Sequence, residues 1–325
     1  SGTAATTDAV LLAFMSGAII VFFRGMEKGT EWRHGIGFGV LLGGAMLTKG
    51  PVGIAIPALA LVPCLVFLRR EVPRVKASWG WFLAGVLIAL AMFVAWGIPA
   101  NIATEGEFAR LGIGKHVISR ASKPMESHGG EWLLFLPYYV PVVMLGFFPW
   151  AAFLPAGFAA LWRRRLDGKV GRVMLWAWIV PTFLLMSLVA TKLPHYVLPI
   201  WPGLALVAAA AVERMQPLRE SRGVRLALAA GIWGVAVLGI VLAAGLCCAP
   251  LALECRVPYL PFVPPAVALV GMVVWSVVEY RRNRLWNVAV VFAGGMLAFQ
   301  LLLATFAIPR SEEHTSELQS LLIIS

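Results

Sequence analysis

Two short polar motifs interrupt otherwise apolar stretches of this chain: Thr48-Lys49-Gly50-Pro51 and Thr191-Lys192-Leu193-Pro194-His195-Tyr196. A lysine at the centre of a membrane-spanning helix costs roughly 2.5–3.5 kcal/mol on insertion scales. A lysine kept where an apolar run breaks is therefore either an interfacial anchor or a cation set out for an anion. Ammonium groups make strong, charge-assisted hydrogen bonds to phosphate. The second motif adds the His195 imidazole and the Tyr196 phenol within four residues of Lys192. The simpler readings are a snorkelling lysine for Lys49 and an aromatic-belt cluster for Lys192–Tyr196.

Asp8 is one of only two aspartates, the other being Asp167 in a basic connector. It follows Thr6-Thr7 at the start of the first apolar run. It suits either a helix-capping role or a carboxylate at the mouth of a cavity. Further polar groups gather between residues 99 and 131. His116 and Arg120 are four apart and share a helix face; Lys123, Glu126, His128 and Glu131 follow, with Gly129-Gly130 among them. A divalent metal held by His116, Glu126 and His128 is conceivable, but the spacing fits no standard ligand pattern. A loop that contacts substrate is the better reading.

The elements that must position these groups are apolar segments, about ten of them: 9–23, 35–48, 51–68, 80–98, 132–160, 173–190, 197–212, 226–246, 261–280 and 285–308. A span needs about 20 residues at 1.5 Å rise, so 35–48 and 197–212 are short. Segment 132–160 holds Pro137, Pro141, Pro149 and Pro155, which predicts a kink. Gly35, Gly37, Gly39, Gly43 and Gly44 predict close packing of the second helix. In the 99–131 loop, Phe108, Leu111, Val117 and Ile118 alternate with Glu107, Arg110, Lys115 and Arg120. That pattern reads as a short amphipathic helix on the membrane surface.

Composition agrees. The chain is 60% hydrophobic and only 13% charged, with mean hydropathy +0.84, whereas a soluble domain carries about a quarter charged residues. The expectation is an all-α, polytopic transmembrane bundle. The net charge of +11 would suggest nucleic acid in a soluble protein, but here the basic residues sit in short loops and set orientation. Nineteen of the 27 lysines and arginines fall in alternate connectors, at 24–33, 69–76, 163–172, 214–225 and 281–284. Those connectors are expected in the cytoplasm. Lys49, the 99–131 loop, Lys192–Tyr196 and the 247–260 loop are expected on the outer face. Cys64 reads as a small core residue. Cys247, Cys248 and Cys255 share one outer loop, where a disulfide involving Cys255 would be structural.

Together, Thr7-Asp8-Ala9, Thr48-Lys49-Gly50-Pro51, His116-Val-Ile-Ser-Arg120, Glu126-Ser-His128-Gly129-Gly130, Phe148-Pro149-Trp150 and Lys192-Leu-Pro-His-Tyr196-Val-Leu-Pro199 resemble the bacterial aminoarabinose (lipid A) transferases. They also resemble the wider protein O-mannosyltransferase-like family of glycosyltransferases. The likeness covers about residues 1–215. It implies a GT-C-type membrane fold in the bacterial inner membrane, a polyprenyl-phosphate-linked sugar donor, and transfer at the periplasmic face to lipid A, another glycan or a protein. It implies no certain cofactor. Lys49, Lys192, His195, Tyr196, Arg120, His116, Asp8, Glu126 and His128 are then the candidate donor and substrate contacts. Members of the family carry an acceptor-activating acid in their first outward loop. That loop is expected upstream of Ser1, so Asp8 is not assigned as the base and the chain as it stands is expected to be inactive. Residues 310–325 resemble an in-frame translation of a sequencing adapter, which leaves 1–309 as the transferase core. The alternative is a transporter or flippase for an anionic lipid-linked substrate. Such proteins place ionisable groups near the midplane and show paired repeats, whereas here the polar groups gather at one interface and no repeat is visible.

Overall fold

The computed structural model describes residues 7–28, 31–68, 75–108, 110, 136–163, 168–189, 192–213, 221–252 and 260–307. All regular structure among them is helical: α1 (Thr7–Lys28), α2 (Trp32–Lys49), α3 (Val52–Leu68), α4 (Val75–Ala103), α5 (Tyr139–Gly146), α6 (Leu154–Trp162), α7 (Lys169–Leu188), α8 (Trp201–Glu213), α9 (Arg222–Ala252), α10 (Val263–Arg281) and α11 (Leu285–Leu302). Between their ends, helices satisfy their backbone donors and acceptors internally, which a hydrocarbon medium demands.

The all-α membrane reading holds. Among the described residues, seven helices are long and apolar enough to cross a membrane, and up to eight if the broken pair Tyr139–Gly146 and Trp150–Trp162 is one span. Each of the ten apolar segments contains a helix, but α3 is short. In α2, the charged ends (Arg33, Lys49) and the glycines dilute the hydropathy. The expected kink falls at Phe147–Pro149, between α5 and a 3₁₀ turn over Trp150–Phe153. On α4, Leu83, Leu87, Val94 and Ile98 are exposed, a face suited to acyl chains.

The chain divides into two compact units, residues 1–143 with 167–206, and 144–166 with 207–325. In the first, α2 lies against α1 and α4 because its glycines remove side chains at the contact. A Cβ on Gly35 would meet Trp81 O at 2.6 Å, one on Gly39 would meet Gly85 O at 2.6 Å, and one on Gly43 would meet Met92 Sδ at 2.7 Å. Gly44 faces the Phe14 ring of α1 in the same way. Small residues that admit close backbone approach are the usual basis of helix association in membranes. Phe22, Phe38 and Phe82 interlock beside this seam, with ring centroids 4.3–6.0 Å apart. Cys64 is fully buried there.

In the second unit, Gly239 of α9 faces Val273 of α10, and Gly295 of α11 faces Met272. The turn between α10 and α11 is tied by the buried Glu279 carboxylate, which accepts from Asn287 Nδ2 at 2.8 Å.

Candidate functional site

The candidate site lies within the first unit, on helix ends that an apolar cluster holds together. Leu11 and Met15 of α1, Ala45 of α2 and Ile56 of α3 are buried together, with Phe14, Val52 and Met186 packed against them. The cluster therefore gathers the first turns of α1, the end of α2, the beginning of α3 and the end of α7. Those are the ends that carry Asp8, Lys49 and Lys192.

Lys49 is the last residue of α2, and the turn after it is built by glycine. Gly50 has φ +62° and ψ −139° and donates its N–H to Met46 O at 2.6 Å. That conformation is essentially closed to side-chain-bearing residues. Gly53 then packs directly on the backbone of Ala45 and Met46, which sets how tightly α3 returns along α2. Thr48 Oγ1 donates to Gly44 O at 2.7 Å and so faces its own helix.

Across this turn, Lys49 Nζ is ion-paired with Asp8 Oδ1. Asp8 lies in the first turn of α1, where the helix dipole favours a negative charge. Both side chains are partly exposed, Lys49 at 31% and Asp8 at 19%, so the pair can be reached from solvent.

Lys192 is placed differently. Its residue is only 7% exposed, and its ammonium donates to the main-chain carbonyls of Met186, at 3.3 Å, and Ser187. It thus caps the C-terminal end of α7, where free carbonyls and the negative end of the helix dipole favour a cation. The Tyr139 ring lies beneath it, 5.8 Å from Nζ to the ring centroid. Burial lowers the pKa of Lys192 from the ordinary lysine value. Beyond Lys192, a 3₁₀ turn runs over Pro194–Ile200. The His195 and Tyr196 rings meet edge to face at 5.0 Å, both half-buried. The segment is pinned at its two ends: Tyr139 Oη donates to Leu193 O at 3.2 Å, and Trp178 Nε1 donates to Pro199 O at 3.0 Å.

Five of the nine sequence-predicted residues are thus placed: Asp8, Lys49, Lys192, His195 and Tyr196. His116, Arg120, Glu126 and His128 lie outside the described residues, as do Cys255 and residues 310–325. Only the start of the expected surface helix is described: Phe108 packs edge to face on Trp96 at 5.1 Å, and Arg110 pairs with Glu107 at 2.5 Å. Among the described residues no cluster of three or more metal-ligating side chains occurs. Tyr139 was missed in the sequence. The available signal was that two of the chain's five tyrosines, Tyr138 and Tyr139, stand side by side within one apolar segment.

The arrangement offers one solvent-accessible cation, balanced by a carboxylate, and one buried cation with no carboxylate partner among the described residues. Cations fixed in this way can stabilise negative charge that develops on an anionic group.

The chain has relatives among known proteins. Residues 1–98 match the model of the dolichyl-phosphate-mannose-protein mannosyltransferase family. The chain is 30% identical over 251 residues to an undecaprenyl phosphate-alpha-4-amino-4-deoxy-L-arabinose arabinosyl transferase of Edwardsiella ictaluri; that alignment covers 74% of this chain and 43% of the relative. It is 25% identical over 316 residues to the enzyme of the same name from Serratia proteamaculans, covering 95% and 54%. Among solved structures, ArnT from Cupriavidus metallidurans bound to undecaprenyl phosphate superposes with a TM-score of 0.67 at 24% identity, over 92% of this chain and 53% of that one. The apo form of the same protein superposes with a TM-score of 0.63 at 25% identity. The chain spans about half the length of the curated relatives it matches.

Proposed function

We propose that this multi-pass membrane chain, similar to the aminoarabinose transferases and sharing their GT-C-type fold, is the membrane core of a protein that transfers a sugar from a polyprenyl-phosphate donor to an acceptor at the periplasmic face of the bacterial inner membrane. Lipid A is the first acceptor to test, and another glycan or a protein are the others. The observation that carries the reading is the likeness to the arabinosyl transferases across up to 95% of the chain. The match to the mannosyltransferase family model, over residues 1–98, takes in Asp8 and Lys49.

The chemistry suits the site. In the donor, the phosphate is a diester with one negative charge. An acceptor oxygen forms a bond to the anomeric carbon, the bond from that carbon to the phosphate oxygen breaks, and its electron pair stays on the phosphate. Polyprenyl phosphate leaves with a second negative charge, and the acceptor loses a proton. Lys49 and Lys192 supply the cations for the developing charge. Asp8 keeps Lys49 in place; it is engaged there and is not the base. His195, Tyr196, His116, Arg120, Glu126 and His128 complete the proposed substrate contacts. The excess of basic residues in alternate connectors supports the orientation that puts this site outside the cytoplasm.

The test is to introduce variants at the chromosomal locus and follow sugar added to lipid A by mass spectrometry, with synthetic polyprenyl-phosphate aminoarabinose as donor. Lys49→Ala and Lys192→Ala should lower transfer without loss of folded protein. Unchanged transfer in both sinks the site assignment. A lipid A profile that ignores deletion of the locus sinks this choice of donor and acceptor.

A further inference from the structure

We infer that Tyr139 is a positioning residue: its ring holds the Lys192 ammonium where it meets the donor's phosphate. The inference rests on the reading of Lys192 given above. Lys192 is buried, and a buried ammonium needs several partners to stay charged. Two are the carbonyls of Met186 and Ser187, which among the described residues leave one of its three N–H donors for a ligand. The third partner is the π face of Tyr139, 5.8 Å from Nζ. An aromatic face attracts a cation without using any of its hydrogen bonds, so it steadies Lys192 and leaves the last donor available.

Tyr139 is itself fully buried, and its hydroxyl donates to Leu193 O. One side chain therefore contacts consecutive residues, Lys192 through its ring and Leu193 through its hydroxyl. The two contacts together fix where the chain leaves the end of α7 and enters the His195–Tyr196 turn. If the ring positions Lys192, phenylalanine should suffice and an aliphatic residue should not.

Two measurements separate this role from simple packing. The first is acylation of lysines in intact membranes by an N-hydroxysuccinimide ester, read by peptide mass spectrometry, with the more exposed Lys49 as internal reference. Tyr139→Leu should raise labelling of Lys192 relative to Lys49 at least tenfold, and Tyr139→Phe should leave it unchanged; Tyr139→Met takes the place of Tyr139→Leu should that variant fail to fold. The second is sugar transfer in a double-mutant cycle. Tyr139→Leu should lower kcat at least tenfold, Tyr139→Phe less than threefold, and Tyr139→Leu with Lys192→Met should be no slower than Lys192→Met alone. Unchanged labelling in the aliphatic variants, a Tyr139→Phe as slow as Tyr139→Leu, or multiplicative losses in the double variant would each overturn the inference. Raised labelling with transfer unaffected in both Tyr139→Leu and Lys192→Met would instead overturn the use of Lys192 in transfer.

Discussion

Asp8 and Lys49, 41 residues apart, close an ion pair across the start of α1 and the end of α2. Because both are partly exposed, the pair adds little to stability; such pairs contribute about 0–1 kcal/mol. Its effect is geometric, since a lysine side chain carries four flexible carbons and the carboxylate restricts where its charge sits. Asp8→Asn should therefore leave the melting temperature of the detergent-solubilised protein nearly unchanged while lowering sugar transfer by about tenfold. Lys49→Ala should lose roughly 10²-fold, the scale seen when one preorganised donor is removed. Equal transfer in Asp8→Asn and the parent would mean that Lys49 needs no such restraint.

Lys192 should show its burial in the pH dependence of the reaction. In the proposed role its ammonium binds anions only while protonated, and burial lowers its pKa from an ordinary value of about 10.4. As pH rises, the site thus loses its charge earlier than an exposed lysine would, and kcat/KM should fall on that alkaline limb. An arginine stays charged throughout, so Lys192→Arg should move the limb to higher pH, even if it lowers the plateau. The linkage has the opposite sign for stability. Between the lowered folded value and the unfolded value, only the unfolded chain holds the proton, so this group makes the fold more stable as pH rises. Superimposable alkaline limbs for the parent and Lys192→Arg would remove Lys192 from the titration.

The glycine seam between α2 and α4 gives a matched pair of substitutions. A Cβ at Gly39 would meet the carbonyl oxygen of Gly85 at 2.6 Å, and backbone cannot give way as a side-chain tip can. One at Gly37 would meet only Val21 Cγ1, at 3.7 Å, an ordinary contact. Gly39→Ala should therefore destabilise by about 1–3 kcal/mol, the cost of overpacking. Gly37→Ala should be neutral or slightly stabilising, because alanine favours helix over glycine by up to about 1 kcal/mol. Thermal melts of the two proteins in the same detergent decide it, and equal melting temperatures would contradict the close approach of α2 and α4.

Much of this was legible in the sequence, for definite reasons. The apolar runs marked the helices, and Gly35, Gly39, Gly43 and Gly44 marked the packed face of α2, while Gly37, expected with them, lies off that face. The helices extend past the runs that revealed them: α1 reaches Lys28 and α9 reaches Ala252. Hydropathy follows the hydrocarbon layer, whereas backbone hydrogen bonding continues into the interface. Lys49 and Lys192 stood out because a cation is costly near hydrocarbon. Their partners did not. The Asp8–Lys49 pair joins residues 41 apart, and no local pattern announces that contact. Tyr139 was concealed by the proline-rich run around it. The acceptors of Lys192 are main-chain carbonyls, which leave no trace in residue types.

Gly50 offers the sharpest test of how the fold delivers Lys49. Its φ of +62° with ψ −139° lies where a side chain is strained by roughly 1–3 kcal/mol. A Cβ there would meet no atom within 4 Å, so any effect of Gly50→Ala must come from the backbone and not from a clash. The strain should be relieved by shifting the turn that follows Lys49, which moves the ammonium relative to Asp8. The expected outcome is a modest loss of stability together with a loss of transfer approaching that of Lys49→Ala. Gly37→Ala, on the same helix but far from the turn, controls for the general effect of alanine. Should Gly50→Ala melt lower and still transfer sugar at the parent rate, the turn geometry would matter for folding alone, and the position of Lys49 would be set by Asp8.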